Sequence, residues 1–224
     1  MRQGLADHNP VIGTEAPAEE RRRDRVLSPA ELVAVWKACD GRGEFGVIVR
    51  LLMLTGARRD EVAGLRRPEL DLDRALWILP AARSKNGLEH EVPLSRQALA
   101  QLATRDRVGL FVFGRRGRSP FSGFSRSKER LDRELGETVA PWTLHDIRRS
   151  VVTHRVELGI APHVVEACIN HVSGHRAGVA GTYNRATYRE PKQAALQAWA
   201  DHLEAPVDGR EPAGNVVTIQ RGAA

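Results

Sequence analysis

The chain has 224 residues, 42% of them hydrophobic and 28% charged, proportions of an ordinary globular protein that exclude a fully disordered, collagen-like or membrane-spanning chain. Lysine and arginine number 34 against 28 acidic residues, a formal net charge of +6. Only Lys37, Lys85, Lys128 and Lys192 are lysines, so guanidinium, the group suited to bidentate phosphate contact, carries most of the positive charge; codon bias gives the same composition, so charge suggests nucleic acid without establishing it.

Residues 1–24 are polar, with Pro10, Pro17 and the run Arg21-Arg22-Arg23, and read as a flexible leader or linker remnant without a signal peptide. A domain is expected over 25–204. It opens at Ser28-Pro29-Ala30-Glu31, where Ser28 caps, Pro29 suits the first helical position and Glu31 closes a capping box. Glu44 to Leu54 is apolar nearly all round and predicts a buried central helix. The most apolar run, Phe45 to Thr55, contains Arg50 and is shorter than the roughly 18 residues a bilayer requires.

Thr55-Gly56 punctuates this helix, and Arg58 to Leu65 restarts as helix. Ala75–Pro80 and Glu89–Leu94 read as two strands of a hairpin, with the turn signal Asn86-Gly87 and Lys85 near the tip. Ser95 caps the next helix. Gly114–Pro120 is a basic loop carrying Arg115, Arg116 and Arg118, candidates for contact with a nucleic-acid backbone. A helix follows Phe121. Thr143 caps another to about Leu158, and Pro162 opens a shorter one to about Ile169. Leu196, Trp199, Ala200 and Leu203 stripe a final amphipathic helix. Residues 205–224 read as a flexible tail, apart from the strand-like Val216-Val217-Thr218-Ile219. The expected fold class is mainly α with a small antiparallel β-sheet (α+β). Cys39 and Cys168 are too few for a disulfide framework and read as buried thiols of a cytoplasmic protein.

The polar residues form an ordered set. Arg58 and Glu61 are spaced to share one helix face, and His145 and Arg148 repeat that spacing. Lys85 sits on the hairpin, His171 follows a helix end, and Tyr183 lies twelve residues beyond it. His171 and His175 have a zinc-like spacing, but Gly174 between them and the lack of a His-Glu-x-x-His glutamate argue against a metal site; no metal and no cofactor are expected. Such a set suits in-line attack of a phenol on a phosphodiester. Two guanidiniums and an imidazole N–H hold the charge that gathers on the non-bridging oxygens. An ammonium on a mobile hairpin protonates the leaving 5′-oxygen. The tyrosine keeps the bond energy as a phosphotyrosine.

Thr55-Gly56-Ala57-Arg58-Arg59-Asp60-Glu61-Val62-Ala63-Gly64-Leu65 resembles the first box of the tyrosine recombinases (phage integrase family), and His145-Asp146-Ile147-Arg148-Arg149-Ser150 resembles their His-x-x-Arg box. Ile169-Asn170-His171 stands where that family usually has Leu-Gly-His. Lys85 matches the hairpin lysine and Tyr183 the nucleophile. The resemblance runs from about Arg25 to Leu203 and implies the integrase catalytic-domain fold, of the prophage type. It also implies cutting and rejoining of double-stranded DNA at attachment-type sites through a 3′-phosphotyrosine, in a homotetramer on DNA assisted by accessory DNA-bending proteins. Carried over, Arg58 and Arg148 clamp the phosphate, His171 donates to a non-bridging oxygen, Lys85 is the general acid, His145 assists proton transfer, and Glu61 supports Arg58 or a histidine.

Three departures stand out. Asn170 replaces a glycine, the interval from His171 to Tyr183 is long and contains Ser173-Gly174-His175, and only the polar leader precedes Arg25 where an N-terminal DNA-clamping domain is usual. The chain therefore reads as a catalytic domain, a truncated product or a fragment, expected to bind DNA weakly alone. Tyr188 is the alternative nucleophile. The final helix either packs on its own core or belongs to a segment exchanged between protomers. The alternative functions are a type IB topoisomerase-like DNA relaxase and a non-catalytic DNA-binding remnant.

Overall fold

The computed structural model describes residues 24–105, 108–171 and 188–211. Within them the chain is mainly helical with one three-stranded antiparallel sheet, in the order β1-β2-β3. The helices are α1 (Pro29–Ala38), α2 (Gly43–Thr55), α3 (Arg59–Ala63), α4 (Arg96–Ala103), α5 (Phe124–Leu135), α6 (Leu144–Glu157), α7 (Pro162–Cys168) and α8 (Arg189–Val207). The strands are β1 (Leu70–Asp71), β2 (Leu76–Leu79) and β3 (His90–Pro93). Tyr183, the Ser173-Gly174-His175 stretch, the leader up to Arg23 and the Val216–Ile219 segment lie outside the described residues.

The local signals act as expected at several ends. Ser28 Oγ accepts from the Glu31 N–H while Glu31 accepts from the Ser28 N–H, a complete capping box on α1. Ser95 Oγ caps α4 through the Ala98 N–H. At α6 the Asp146 carboxylate accepts from both the N–H and the hydroxyl of Thr143. The hairpin register pairs Leu76 with Pro93 and Leu79 with His90. Its connection is longer than a two-residue turn, with a short 3-10 segment over Ala81–Arg83 before the Ser84–Gly87 turn. Among the described residues no helix is long and apolar enough to cross a membrane, and both cysteines are buried free thiols.

The centre of the molecule is α2, buried from Phe45 to Thr55 except at Arg50. Burying a helix end strands its last carbonyls, which have no intrahelical donor. Here side chains from later in the chain satisfy them one by one. Trp199 Nε1 on α8 donates to Met53 O at 2.7 Å, and Arg155 on α6 donates to Leu54 O at 2.7 Å and Thr55 O at 3.3 Å. Arg148, two turns earlier on α6, donates to Gly56 O at 2.6 Å. Gly56 ends the helix at φ 72°, and a Cβ there would press on Ile169 and Val151 at 3.2 and 3.3 Å, so the turn needs glycine both for its conformation and for its packing. The helix C-terminus is also the negative end of its dipole, which the two buried cations offset.

Helix α8 packs on its own chain's core through Leu196, Trp199, Ala200 and Leu203, each at most 4% exposed. It is further held to β3 by Lys192 Nζ donating to Glu91 O at 2.6 Å.

Candidate active site

The Thr55-Gly56 turn delivers Arg58 to the surface beside α2. Arg58 is the N-cap of α3 rather than a residue within it, so it reaches Glu61 by a different route from the shared helix face expected. The buried Glu61 carboxylate accepts from Arg58 twice, from its backbone N–H and from Nη1, both at 2.9 Å. The guanidinium is thereby aimed, with Glu61 behind it.

Arg148 is 9% exposed. Its Nη1 donates to Gly56 O and its Nη2 to Ile169 O at 2.7 Å. A guanidinium has five N–H donors, so two hold protein and three remain for a ligand. Burial, with a smaller contribution from the facing Arg58, pushes its pKa down to about 10; it stays a cation at neutral pH. Its charge is repelled by Arg58 and only partly offset by Glu61, which is the electrostatics of a site awaiting an anion.

His145 opens α6 on the exposed rim. Desolvation first, then Arg148, Arg149 and Lys85, lower its pKa below the usual imidazole value. At neutral pH it is an uncharged ring that can donate one N–H and accept at the other nitrogen.

Lys85 is exposed, on a loop that the sequence suggests is mobile but that side chains tie on both sides. Before it, Arg83 donates to Glu61 O at 2.9 Å and pairs with the buried Glu69 carboxylate, which also accepts from Trp77 Nε1. After it, Asn86 Nδ2 donates to Asn170 at 3.1 and 3.0 Å, to its backbone and side-chain oxygens.

His171 is placed by the end of α7. Its N–H donates to Glu166 O, and the Asn170 N–H approaches Ala167 O, the bond pattern of a Schellman cap. Asn170 occupies the left-handed position of that cap at φ 51°. Asparagine is the residue after glycine that tolerates this conformation, because its short polar side chain can hydrogen-bond locally, so the departure from glycine is compatible with the same turn.

Arg58, Lys85, His145 and Arg148 line one cleft of about 580 Å³. Its wall also includes Arg59 and Lys128, which the sequence did not single out. Arg59 pairs with Asp60 and lies 5.1 Å from the Phe124 ring centroid. Lys128 bonds Asp132 and Trp142 O, with its ammonium 3.8 Å from the Trp142 ring centroid. A basic residue four before an acid on α5 was the available signal. The cleft therefore sets five fixed cations against the carboxylates of Asp60 and Asp132. Arg115, Arg116 and Arg118 are exposed and line no part of it; Arg116 borders a separate cavity with Arg67 and Arg105. Tyr188 caps α8, with its ring 5.7 Å from that of His163, and is not among the residues lining the cleft. Among the described residues no cluster of metal-ligating side chains occurs.

Comparison with known proteins gives the family and the fold. The sequence profile of the phage integrase family matches residues 25–190. Prophage integrase IntZ of Escherichia coli (strain K12) is 32% identical over 214 residues, covering 92% of this chain and 52% of that protein. Prophage integrase IntA of the same strain is 32% identical over 162 residues, covering 70% of this chain and 38% of that one. Among solved structures, the integrase from mycobacterium phage Brujita superposes with a TM-score of 0.59 at 17% identity, over 87% of this chain and 64% of that one. The XerA recombinase crystal structure does so with a TM-score of 0.57 at 19% identity, over 76% and 64%. These two show the fold, the tyrosine recombinase catalytic-domain architecture expected. The chain spans about half or less of the length of the two prophage integrases it matches. Its sequence, cleft and fold together place it: the chain belongs to the phage integrase family.

Proposed function

We propose that this chain is the catalytic part of a site-specific DNA recombinase that cuts and rejoins double-stranded DNA through a 3′-phosphotyrosine. The observation that carries this reading is the convergence of Arg58, Arg148, His145 and Lys85 on one cleft with an excess of positive charge. Arg58 and Arg148 bind the non-bridging oxygens of the scissile phosphate, and His171 supplies a further donor. The Tyr183 phenol gives up its proton to the neutral His145 ring and its oxygen bonds to phosphorus; the bond from phosphorus to O5′ breaks, and O5′ takes its proton from the Lys85 ammonium. Rejoining is the reverse. His145, neutral at neutral pH, assists proton transfer beside the phosphate. Glu61 holds Arg58. Arg115, Arg116 and Arg118 meet DNA backbone away from the cleft. Strand exchange takes place in a homotetramer on DNA, with accessory DNA-bending proteins, and the chain alone associates weakly. DNA-bound relatives of the fold, such as the lambda integrase dimer on a core site at 20% identity, support DNA as the partner, and Arg25 to Leu203 is the part that acts.

The test is covalent capture. The 224-residue chain is incubated in EDTA with a pool of nicked random-sequence duplexes, and detergent-resistant adducts are recovered and sequenced. Adducts are expected with the unsubstituted chain and with Tyr188→Phe, and none with Tyr183→Phe. Adducts that survive Tyr183→Phe overturn the nucleophile assignment. Relaxation of supercoiled plasmid without exchange of captured sites would favour a relaxase, and failure to form any adduct a binding remnant.

A further inference from the structure

Asn170 does more than occupy a turn. It is 3% exposed, in a conformation that favours glycine. Its side chain is wholly engaged with the segment around Lys85. Asn170 Nδ2 donates to Ser84 Oγ at 2.9 Å and to Asn86 Oδ1 at 3.2 Å. Asn86 Nδ2 returns two bonds, to Asn170 O and Oδ1. Ser84 Oγ closes the ring by donating to Asn86 Oδ1 at 2.6 Å, and that oxygen also accepts the Leu88 N–H. The residues bonded to the Asn170 side chain are thus the two immediate neighbours of Lys85, and the residue that follows Asn170 is His171. The network is anchored at its buried end, the Asn170 to Ser84 bond, and its mutual bonds hold the half-buried Asn86 in place.

We propose that Asn170 is a positioning residue for DNA cleavage: from the end of α7 it fastens the Lys85 loop to the segment that presents His171, so that the proton donor and a phosphate ligand keep a set distance. This rests on the assignment of Lys85 as general acid made above. Glycine would satisfy the backbone at this position at least as well, so the amide is explained by its bonds to the loop.

Asn170→Gly isolates the side chain, because it removes the amide while relieving any backbone strain. Two readouts follow. Without DNA, amide hydrogen exchange in the 224-residue chain is expected to quicken about tenfold at Gly87 and Leu88, with α2 unchanged; unchanged exchange at both amides overturns the fastening. With a captured duplex, cleavage is compared between the ordinary scissile phosphate and one whose bridging O5′ is replaced by sulfur, a leaving group that needs no proton. Asn170→Gly is expected to slow the oxygen substrate about tenfold and to leave the sulfur substrate unchanged. Equal loss on both substrates, or none on either, overturns the proposal. Lys85→Ala is the reference: selective loss on oxygen upholds the general-acid assignment, so that a null result for Asn170→Gly then counts against Asn170 alone. Lys85→Ala without that selectivity removes the assignment and the proposal with it, while the exchange measurement still reports whether the loop is fastened.

Discussion

The two walls of the cleft are made in opposite ways. The arginine wall grows out of the core: Arg58 follows the buried end of α2, and Arg148 is itself buried against that end and the end of α7. The lysine wall is an exposed loop attached from outside by side chains, Arg83 at one flank and the Asn86–Asn170 pair at the other. The two arginines are thus fixed by the folded core itself. Lys85 sits on a piece held by a few side-chain bonds at its flanks, which can loosen without unfolding the rest.

The largest expected effect tests the first wall. Arg148→Gln removes the proposed phosphate donor and leaves Gly56 O and Ile169 O without their guanidinium. Adduct formation should fall about 10³-fold, and the urea midpoint should report a loss of about 3 kcal/mol; an unchanged midpoint would show that the carbonyls find other donors. Lys85→Ala tests the contrast. Adduct formation should fall about 10²-fold while stability stays within about 0.5 kcal/mol, because the side chain is exposed. Glu61→Gln keeps the shape but removes the charge behind Arg58. About a tenfold slowing of cleavage, with about 1 kcal/mol of destabilisation, is expected from the weakened charge-assisted bond; full activity would show that Arg58 is aimed by its backbone alone.

The smallest effect is a pH dependence. Folding lowers the His145 pKa, so between that value and the ordinary imidazole value of about 6.5 the unfolded chain binds more protons than the folded one. This contribution is complete above about pH 6.5 and is lost as pH falls through that window. His202 behaves in the same sense, through burial and His154. His145→Gln should flatten the fall in urea midpoint between pH 7 and pH 5.5, leaving the His202 share; an unaltered slope would show that the His145 ring is as well solvated folded as unfolded.

Much of this was legible in the chain. The caps at Ser28, Ser95 and Thr143, the apolar run of α2 and the two strand segments around the Asn86-Gly87 turn are local signals, and local physics honours them. The cleft residues were legible as an ordered set of types. Arg155 was not. It reads as a last-turn arginine on an amphipathic helix, yet it is fully buried, because its partners are backbone carbonyls of α2, which no side chain advertises. The two-sided tie of the Lys85 loop was hidden for a related reason: Arg83 meets a carbonyl 22 positions back and Asn86 an amide 84 positions ahead. Asn170 showed only as a departure from glycine; its meaning depends on a left-handed backbone and on neighbours distant in sequence.

Arg148 also has a metrical role. Its two terminal nitrogens touch the carbonyls of Gly56 and Ile169, the first two residues upstream of Arg58 and the second two residues upstream of His171. The width of one planar guanidinium is therefore the gauge that spaces the segments leading to Arg58 and His171. Arg148→Lys keeps the unit charge but lacks the planar fork that spans both carbonyls, so it is a poor experiment on charge alone: it alters the span being measured together with the instrument that measures it.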